Sequence, residues 1–395
     1  MIDDRGLTTR CVHAGETPDP TTGAHGVPLY QNVTYAFRSA DHVEAMRAGE
    51  APHFTYSPRG NPTARSLELK LADLEGAETS VAAASGMAAI AATLLTLVRG
   101  GGHIVASAEL YEQTRDFLQC DLPQHGSSAT LVDARDLAAV AAAIGPATRA
   151  LYVEPFSNPA LHVVNLPALG ELARSREIPL IVDNTFLSPA LLRPLEHGAD
   201  LVLHSATKYL SGMGQTQGGF ISGRRDLAEP VRETMLRLGG QMPPFAAWML
   251  LAGVKTLPLR MERHSGNADR LARLLATDPA VAAVNYPGLE THPEHDVAAR
   301  LVGVGPDRFG GMLSFTLRGG PPATRRFLNA LEMCTIAVSL GDVATLVWPW
   351  AGRDLIRMSV GIEDAADLER DVRRGLAAAD MPSRANALSE PTPAD

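Results

Sequence analysis

Between residues 103 and 222, short β-branched runs alternate with amphipathic stretches, and this alternation constrains the fold more than any other feature of the chain. The runs are HIVAS (103–107), ALYVE (150–154), PLIVDN (179–184), DLVLHS (200–205) and GFIS (219–222). Helical spacing falls between them at 134–144 and 165–176, and ahead of them at 62–75 and 85–98. Strands joined through helices pair in parallel by right-handed crossovers, so the pattern predicts an α/β fold: a mostly parallel sheet covered on both faces. After a long helical stretch around 245–277 the character shifts. GGMLSFTL (310–317) and LIRMSVGI (355–362) read as strands, with helices at 322–332 and 364–378, which makes a smaller α+β unit. The first sixty residues are rich in Pro, Gly, Thr and Asp and hold no sustained period. Alone they could not bury a core, so they read as an extended arm that packs on something else. The expected division is an arm at 1–60, a sheet domain at 61–255, an α+β domain at 256–382 and a flexible Pro/Ser/Ala-rich tail at 383–395. No internal repeat is visible at any fixed period.

Composition narrows the function. Hydrophobic residues make up 45% of the 395 and charged residues 20%, enough for a real core and too apolar for global disorder. Lys and Arg total 35 against 44 Asp and Glu, and no basic block stands apart, so nucleic acid is not an expected partner. The longest apolar stretch, Val81 to Val98, is interrupted by Ser85, Gly86, Thr93 and Thr96 and reads as a buried helix, not a membrane span. MIDDRGLTTR has no apolar run behind a basic start, so it does not read as a secretory signal. Cys11, Cys120 and Cys334 show neither a disulfide framework nor zinc-ligand spacing. His292 and His295 in THPEHD (291–296) lack a third ligand and read as a solvated helix start. A cytoplasmic protein without a metal site is the expectation.

The chemistry gathers at strand ends. Ligands of an open parallel sheet sit beyond the carboxyl ends of its strands. Asp183 ends PLIVDN and Lys208 lies just past DLVLHS, so both point to one crevice. A lysine there is either a phosphate partner or a nucleophile able to form a Schiff base. A carboxylate there suits a bound pyridinium nitrogen. Taken singly, each residue is better explained by a loop cap or a solvent-facing charge. Their neighbours shift that balance. Ser205 and Thr207 flank the lysine, and SGMGQTQGG (211–219) follows, a set rich in donors for a phosphate. Ser85-Gly86-Met87 opens a helix, where exposed N–H groups attract anions.

Together HSATKYLSG (204–212), IVDNTF (181–186), ASGMAA (84–89), EPFSNP (154–159), RMERHSGNA (260–268) and LIRMSVGIED (355–364) resemble the Cys/Met-metabolism (trans-sulfuration) family of enzymes dependent on pyridoxal 5'-phosphate (PLP). That family includes methionine γ-lyase, cystathionine γ-lyase, cystathionine γ-synthase and the O-acyl-homoserine sulfhydrylases. The resemblance runs from about Thr8 to about residue 380. It implies the aspartate-aminotransferase-like fold type I, with active sites shared across a homodimer, usually doubled to a homotetramer. It implies that Lys208 binds the cofactor covalently and later moves protons, and that Asp183 pairs with the pyridinium. Tyr111 in ELYEQT would stack on the ring and assist the leaving group. Gly86, Met87, Ser205 and Thr207 would hold the phosphate, and Asn158 would sit near the phenolic oxygen. Arg357 would clamp the carboxylate of a small amino-acid substrate, with Ser339 close by. Tyr56 would reach a neighbouring subunit's site.

The sequence departs from the family at several positions. In YSPRGNPT (56–63) Tyr56 matches the family's cofactor-binding position, Pro58 stands where the phosphate-binding Arg belongs, and Arg59, one position late, would reach the phosphate by a changed loop path. The stretch after Lys208 reads GMGQT, where many relatives carry a Gly-His-Ser/Gly-Asp-like run. VWPWAGRD (347–354) replaces a longer loop, and Trp348 and Trp350 would point the same way in an extended segment. Val338 precedes the Ser of the SLG turn, where cystathionine enzymes tend to carry Glu, and Gln113 stands where methionine γ-lyases usually carry Cys. The implied activity is γ-elimination on a methionine- or homoserine-type amino acid. The alternatives are γ-replacement on an activated homoserine and, more remotely, a PLP-binding protein without catalysis; the fold alone would also allow a transaminase.

Overall fold

The apolar runs pair into one seven-stranded sheet. Its strands are β1 (Thr79–Ala83), β2 (His103–Ser107), β3 (Ser128–Val132), β4 (Thr148–Val153), β5 (Leu180–Asp183), β6 (Leu201–Ser205) and β7 (Gly219–Gly223), in the order β1-β7-β6-β5-β4-β2-β3. The computed structural model describes residues 5–350, 352 and 354–380; the tail expected from 383, and Ala351 and Arg353 of the VWPWAGRD segment, lie outside them. Strands β2 to β6 are mutually parallel, and β7 runs antiparallel to both β6 and β1. The register Val153↔Val182 and Asp183↔Leu203 lines up the carboxyl ends of β4, β5 and β6 at one edge. Their inner residues are buried on both faces, as a doubly covered sheet requires. Helices Gly86–Leu97 and Arg225–Leu238 pack Ile90, Leu94, Val231 and Met235 against Tyr152, Ile181, Leu203 and Ile221.

This sheet belongs to a unit made of residues 5–158 together with 163–259; a second unit holds 159–162 and the described residues from 260 to 380. The second unit has its own sheet of β8 (Val281–Asn285), β9 (Met312–Leu317), β10 (Thr335–Ile336), β11 (Leu346–Trp350) and β12 (Leu355–Ser359), in the order β10-β11-β12-β9-β8.

Several elements differ from the sequence reading. Val81 to Val98 is the end of β1, a turn and then helix Gly86–Leu97, not one helix. The break is at Ser85, whose hydroxyl accepts from Ala88 N (3.1 Å) as an N-cap. The stretch 245–277 is two helices, Pro244–Val254 and Leu257–Thr277. His292 is buried, its Nδ1 accepting from Glu294 N (3.2 Å), and helix His295–Val302 begins only after it, so it is not a solvated helix start. Among the described residues no His, Cys, Asp and Glu cluster could hold a metal ion.

The first sixty residues carry two short helices, Leu7–His13 and Ala40–Arg47, and are pinned at defined points. Lys70 is fully buried, yet its Nζ donates to Cys11 O (2.7 Å) and Val12 O (3.2 Å) and pairs with Glu16 (3.0 Å). It thereby satisfies the last carbonyls of helix Leu7–His13. Asn61 caps helix Pro62–Glu75 through Thr63 N (2.9 Å), while its amide donates back to Tyr30 O (2.8 Å). Thr63 Oγ1 donates to Pro28 O (2.8 Å). The Asn-Pro-Thr sequence therefore fastens the arm to the start of that helix.

In the second unit, Asp371 on helix Ala365–Asp380 accepts from the backbone N–H of Glu332 (2.9 Å), Met333 (3.1 Å) and Cys334 (2.8 Å) and from Arg374. Burial alone would raise its carboxyl; the donors outweigh burial and hold it at about 2 instead of 3.8. A depressed carboxylate adds stability that is present above the unfolded value and is lost as pH falls toward the folded one. Asp371→Asn should therefore lower the free energy of unfolding at pH 7 by about 2 kcal/mol. In urea titrations that deficit should shrink as pH is lowered from 4 toward 2; a deficit independent of pH would contradict this account.

Candidate active site

The aligned strand ends gather the first unit's candidate residues. Asp183 closes β5 and is buried. Its Oδ1 accepts from both Thr185 N (3.0 Å) and Thr185 Oγ1 (2.5 Å), and its Oδ2 accepts from Tyr152 OH (3.3 Å). Burial raises the Asp183 carboxyl, and the Thr185 hydrogen bonds, His204 and Tyr152 work against that rise by favouring the ionised form. Thr185 Oγ1 in turn accepts from the backbone N–H of Ser205 (2.8 Å) at the end of β6. One hydroxyl thus links the carboxylate to the strand that leads into Lys208.

Past β6 the chain turns through Ala206 and Thr207, and Lys208 N donates to Ser205 O (3.2 Å). The Thr207 hydroxyl pairs with Gly218, accepting from its N–H at 3.2 Å. Lys208 is half-buried. Facing Ser205 is the start of helix Gly86–Leu97. A Cβ built on Gly86 would lie 2.8 Å from Ser205 Cβ, so only glycine lets the helix start approach this closely. The first N–H groups of a helix have no intrahelical partner, and those of Gly86 and Met87 belong to that set. Met87 is tied in by Thr114, whose hydroxyl lies 3.8 Å from Met87 Sδ and also hydrogen-bonds Tyr152.

Tyr111 stands just ahead of helix Glu112–Asp116, 41% exposed, its phenol raised by partial burial and by Glu112. Its backbone N–H donates to Glu154 Oε1 (2.8 Å). Asn158 is buried in the segment that follows β4. Gly86, Met87, Tyr111, Asp183, Ser205, Thr207 and Lys208 therefore belong to linked segments at one sheet edge. Tyr56 and Arg59 do not join them: both are exposed, in the turn where Arg59 N bonds Tyr56 O (2.8 Å), and no hydrogen bond described above reaches them. Arg59 lines instead a cavity of about 480 Å³ with Asn61, Arg232 and Gln241.

The second unit holds the other candidates. Arg357 on β12 is buried; its Nη2 donates to Ser339 O (2.8 Å), and its guanidinium lies 5.3 Å from the Trp350 ring centroid. Trp348 is the register partner of Arg357, so Trp348, Trp350 and Arg357 share one face. Ser339 carries φ +83°, a rare conformation for a serine, and the turn is held by Gly341 N donating to Ser359 Oγ (2.8 Å). Val338 beside it is 60% exposed.

Comparison with known proteins agrees with this geometry. The family model of the Cys/Met metabolism PLP-dependent enzymes matches residues 8–351. The chain belongs to that family. It is 40% identical over 392 residues to an L-methionine gamma-lyase of Pseudomonas putida, covering 94% of this chain and 98% of that protein. It is also 40% identical over 386 residues to a cystathionine gamma-synthase of Mycobacterium bovis, covering 94% and 97%. A Campylobacter jejuni structure described as an O-acetylhomoserine (thiol)-lyase superimposes with a TM-score of 0.89 at 30% identity, over 94% of this chain and all of that one. That structure carries N'-pyridoxyl-lysine-5'-monophosphate. The chain is accordingly a PLP-dependent enzyme of fold type I.

The residues of the first unit fit that cofactor. A glycine whose Cβ would collide with Ser205 leaves room at a helix N-terminus, and a buried carboxylate with donors already supplied can hold a charged ring nitrogen. Thr185, Tyr152 and Glu154 were missed in the sequence reading, although IVDNTF and EPFSNP contain two of them. Gly86→Ala tests the cradle. Overpacking of this kind costs about 1–3 kcal/mol, so PLP affinity measured by titration of the apoprotein should fall between about fivefold and about a hundredfold. Unchanged affinity would remove Gly86 from the cradle.

Proposed function

We propose that this enzyme catalyses γ-elimination on a methionine- or homoserine-type amino acid, releasing the γ-substituent, a 2-oxo acid and ammonia. The observation that carries the reading is Val338: the side chain beside the strained Ser339 turn is apolar and exposed. No acid stands at that position to hold the distal ammonium of a cystathionine-like substrate. The alternative is γ-replacement, in which a thiol or carbon nucleophile adds where the γ-group left; the equal identity to a cystathionine gamma-synthase favours keeping it.

When bound, PLP supplies a cationic ring that withdraws electrons from the substrate Cα. The chain's residues do the rest. Asp183 keeps negative charge where the ring nitrogen lies. The Lys208 amine moves the proton from Cα and then accepts the second proton from Cβ as the γ-substituent departs with its bonding pair. Tyr111 covers the ring and donates to the departing group. Gly86, Met87, Ser205 and Thr207 hold the phosphate, and Asn158 orients the phenolic oxygen. Arg357 is fixed by the Ser339 carbonyl and Trp350 and takes the substrate carboxylate through its planar fork. Water completes the balance: methionine and water give methanethiol, 2-oxobutanoate and ammonia.

Tyr56 and Arg59 serve a second copy of the chain, in a homodimer or homotetramer. Asn61 and Thr63 anchor the arm and leave both side chains exposed, and Arg59 takes the role that Pro58 cannot. Three cysteines outside any disulfide fit a reducing cytoplasm, and no helix among the described residues is long and apolar enough to cross a membrane.

The test is product analysis of the PLP-loaded enzyme with L-methionine, L-cystathionine and O-acetyl-L-homoserine. The reading predicts 2-oxobutanoate and ammonia in equal amounts from L-methionine without added thiol, and none from Lys208→Ala. Turnover that appears only with an added thiol, and without 2-oxobutanoate, would establish replacement instead.

A further inference from the structure

We propose that Glu154 is a positioning residue for Tyr111: its buried carboxyl at the end of β4 holds the Tyr111 backbone N–H and so fixes where the phenol ring stands. The proposal rests on the reading of Lys208 and Asp183 as PLP-binding residues. Tyr111 needs such support because the residue is 41% exposed, and the stretch before it, Ala108 to Leu110, belongs to no helix or strand. Two hydrogen bonds lace that stretch to the segment after β4. Glu154 Oε1 accepts from Tyr111 N (2.8 Å), and Ser157 Oγ donates to Glu109 Oε2 (3.0 Å). On the far side Thr114 ties the next helical turn to Met87 and to Tyr152. The Tyr111 backbone is thus held between the strand that ends beside Asp183 and the helix start that forms the cradle.

The carboxyl's environment fixes its form. Burial pushes Glu154 well above the usual carboxylate range, the charge of Asp183 adds to this, and the Tyr111 N–H only partly opposes it. Burial and the neighbouring charge favour the protonated form of Glu154, whereas the two Thr185 donors favour the ionised form of Asp183. Glu154 accepts from Tyr111 through one oxygen, a bond that its neutral form keeps. An amide has the same shape and keeps that acceptor, so glutamine should replace it.

The experiment compares Glu154→Gln and Glu154→Ala with the unaltered enzyme. Amide hydrogen exchange of the apoprotein reads the Tyr111 N–H directly. It should stay protected in Glu154→Gln and exchange at least about tenfold faster in Glu154→Ala. In the PLP-loaded proteins, Glu154→Ala should keep the cofactor absorption band but change its circular dichroism, and kcat should fall between about tenfold and a hundredfold. Glu154→Gln should restore both. A Tyr111 amide equally protected in all three proteins would overturn the proposal, as would a glutamine variant as impaired as alanine. An unaltered enzyme that takes up no PLP would overturn the reading beneath it, and the exchange result would still report on the Glu154–Tyr111 bond.

Discussion

A carboxylate with almost no access to water, at the end of a central parallel strand, is the constraint on which the site depends. Removing Asp183 from solvent is unfavourable for its charge, and the fold offsets that cost with Thr185, which donates from both its backbone and its hydroxyl. Because the same hydroxyl accepts from Ser205 N, the position of β6 is bound to that of the carboxylate. Lys208 and Thr207 follow directly from β6, so the residues proposed to bind the cofactor and its phosphate inherit their place from this one arrangement. The sheet register supplies the rest, bringing the ends of β4, β5 and β6 to a common edge.

Around that centre the chain uses close approach and tethering. Gly86 lets a helix start come within contact of Ser205, where any side chain would push it back. Tyr152 and Thr114 connect the carboxylate to Met87 and to the helix after Tyr111. In the second unit Arg357 is handled in the same manner, with a carbonyl on one side and an indole on the other. In the proposed role of Arg357, a guanidinium fixed in advance removes part of the ordering cost of binding.

Much of this was legible in the sequence because its signals are local. The β-branched runs gave β2, β4, β5, β6 and β7 nearly at their observed limits, and Asp183 and Lys208 followed from their places at strand ends. Strand β1 was not legible: TSVAA is buried throughout, so it shows no alternation and merges with the helix that follows. Strand β11 was foreseen only as a conditional extended segment, because its Pro349 argues against a strand. Thr185, Tyr152 and Glu154 escaped for a different reason. Their roles rest on partners 20 to 43 residues away (Ser205 for Thr185, Asp183 for Tyr152, Tyr111 for Glu154), which only the fold brings together. The arm shows the same limit. Its composition indicated packing on another element, but the buried Lys70 that receives helix Leu7–His13 lies inside what reads as an ordinary amphipathic helix.

The central claim is that Asp183 carries its charge in the folded site and so keeps the cofactor's ring nitrogen protonated. The most direct measurement is the ¹⁵N NMR shift of PLP labelled at the pyridine nitrogen, bound to the enzyme and to Asp183→Asn. The account predicts a protonated-nitrogen resonance across neutral pH in the enzyme and a neutral-pyridine resonance in the variant. A neutral nitrogen in the unaltered enzyme, or the same resonance in both proteins, would contradict it.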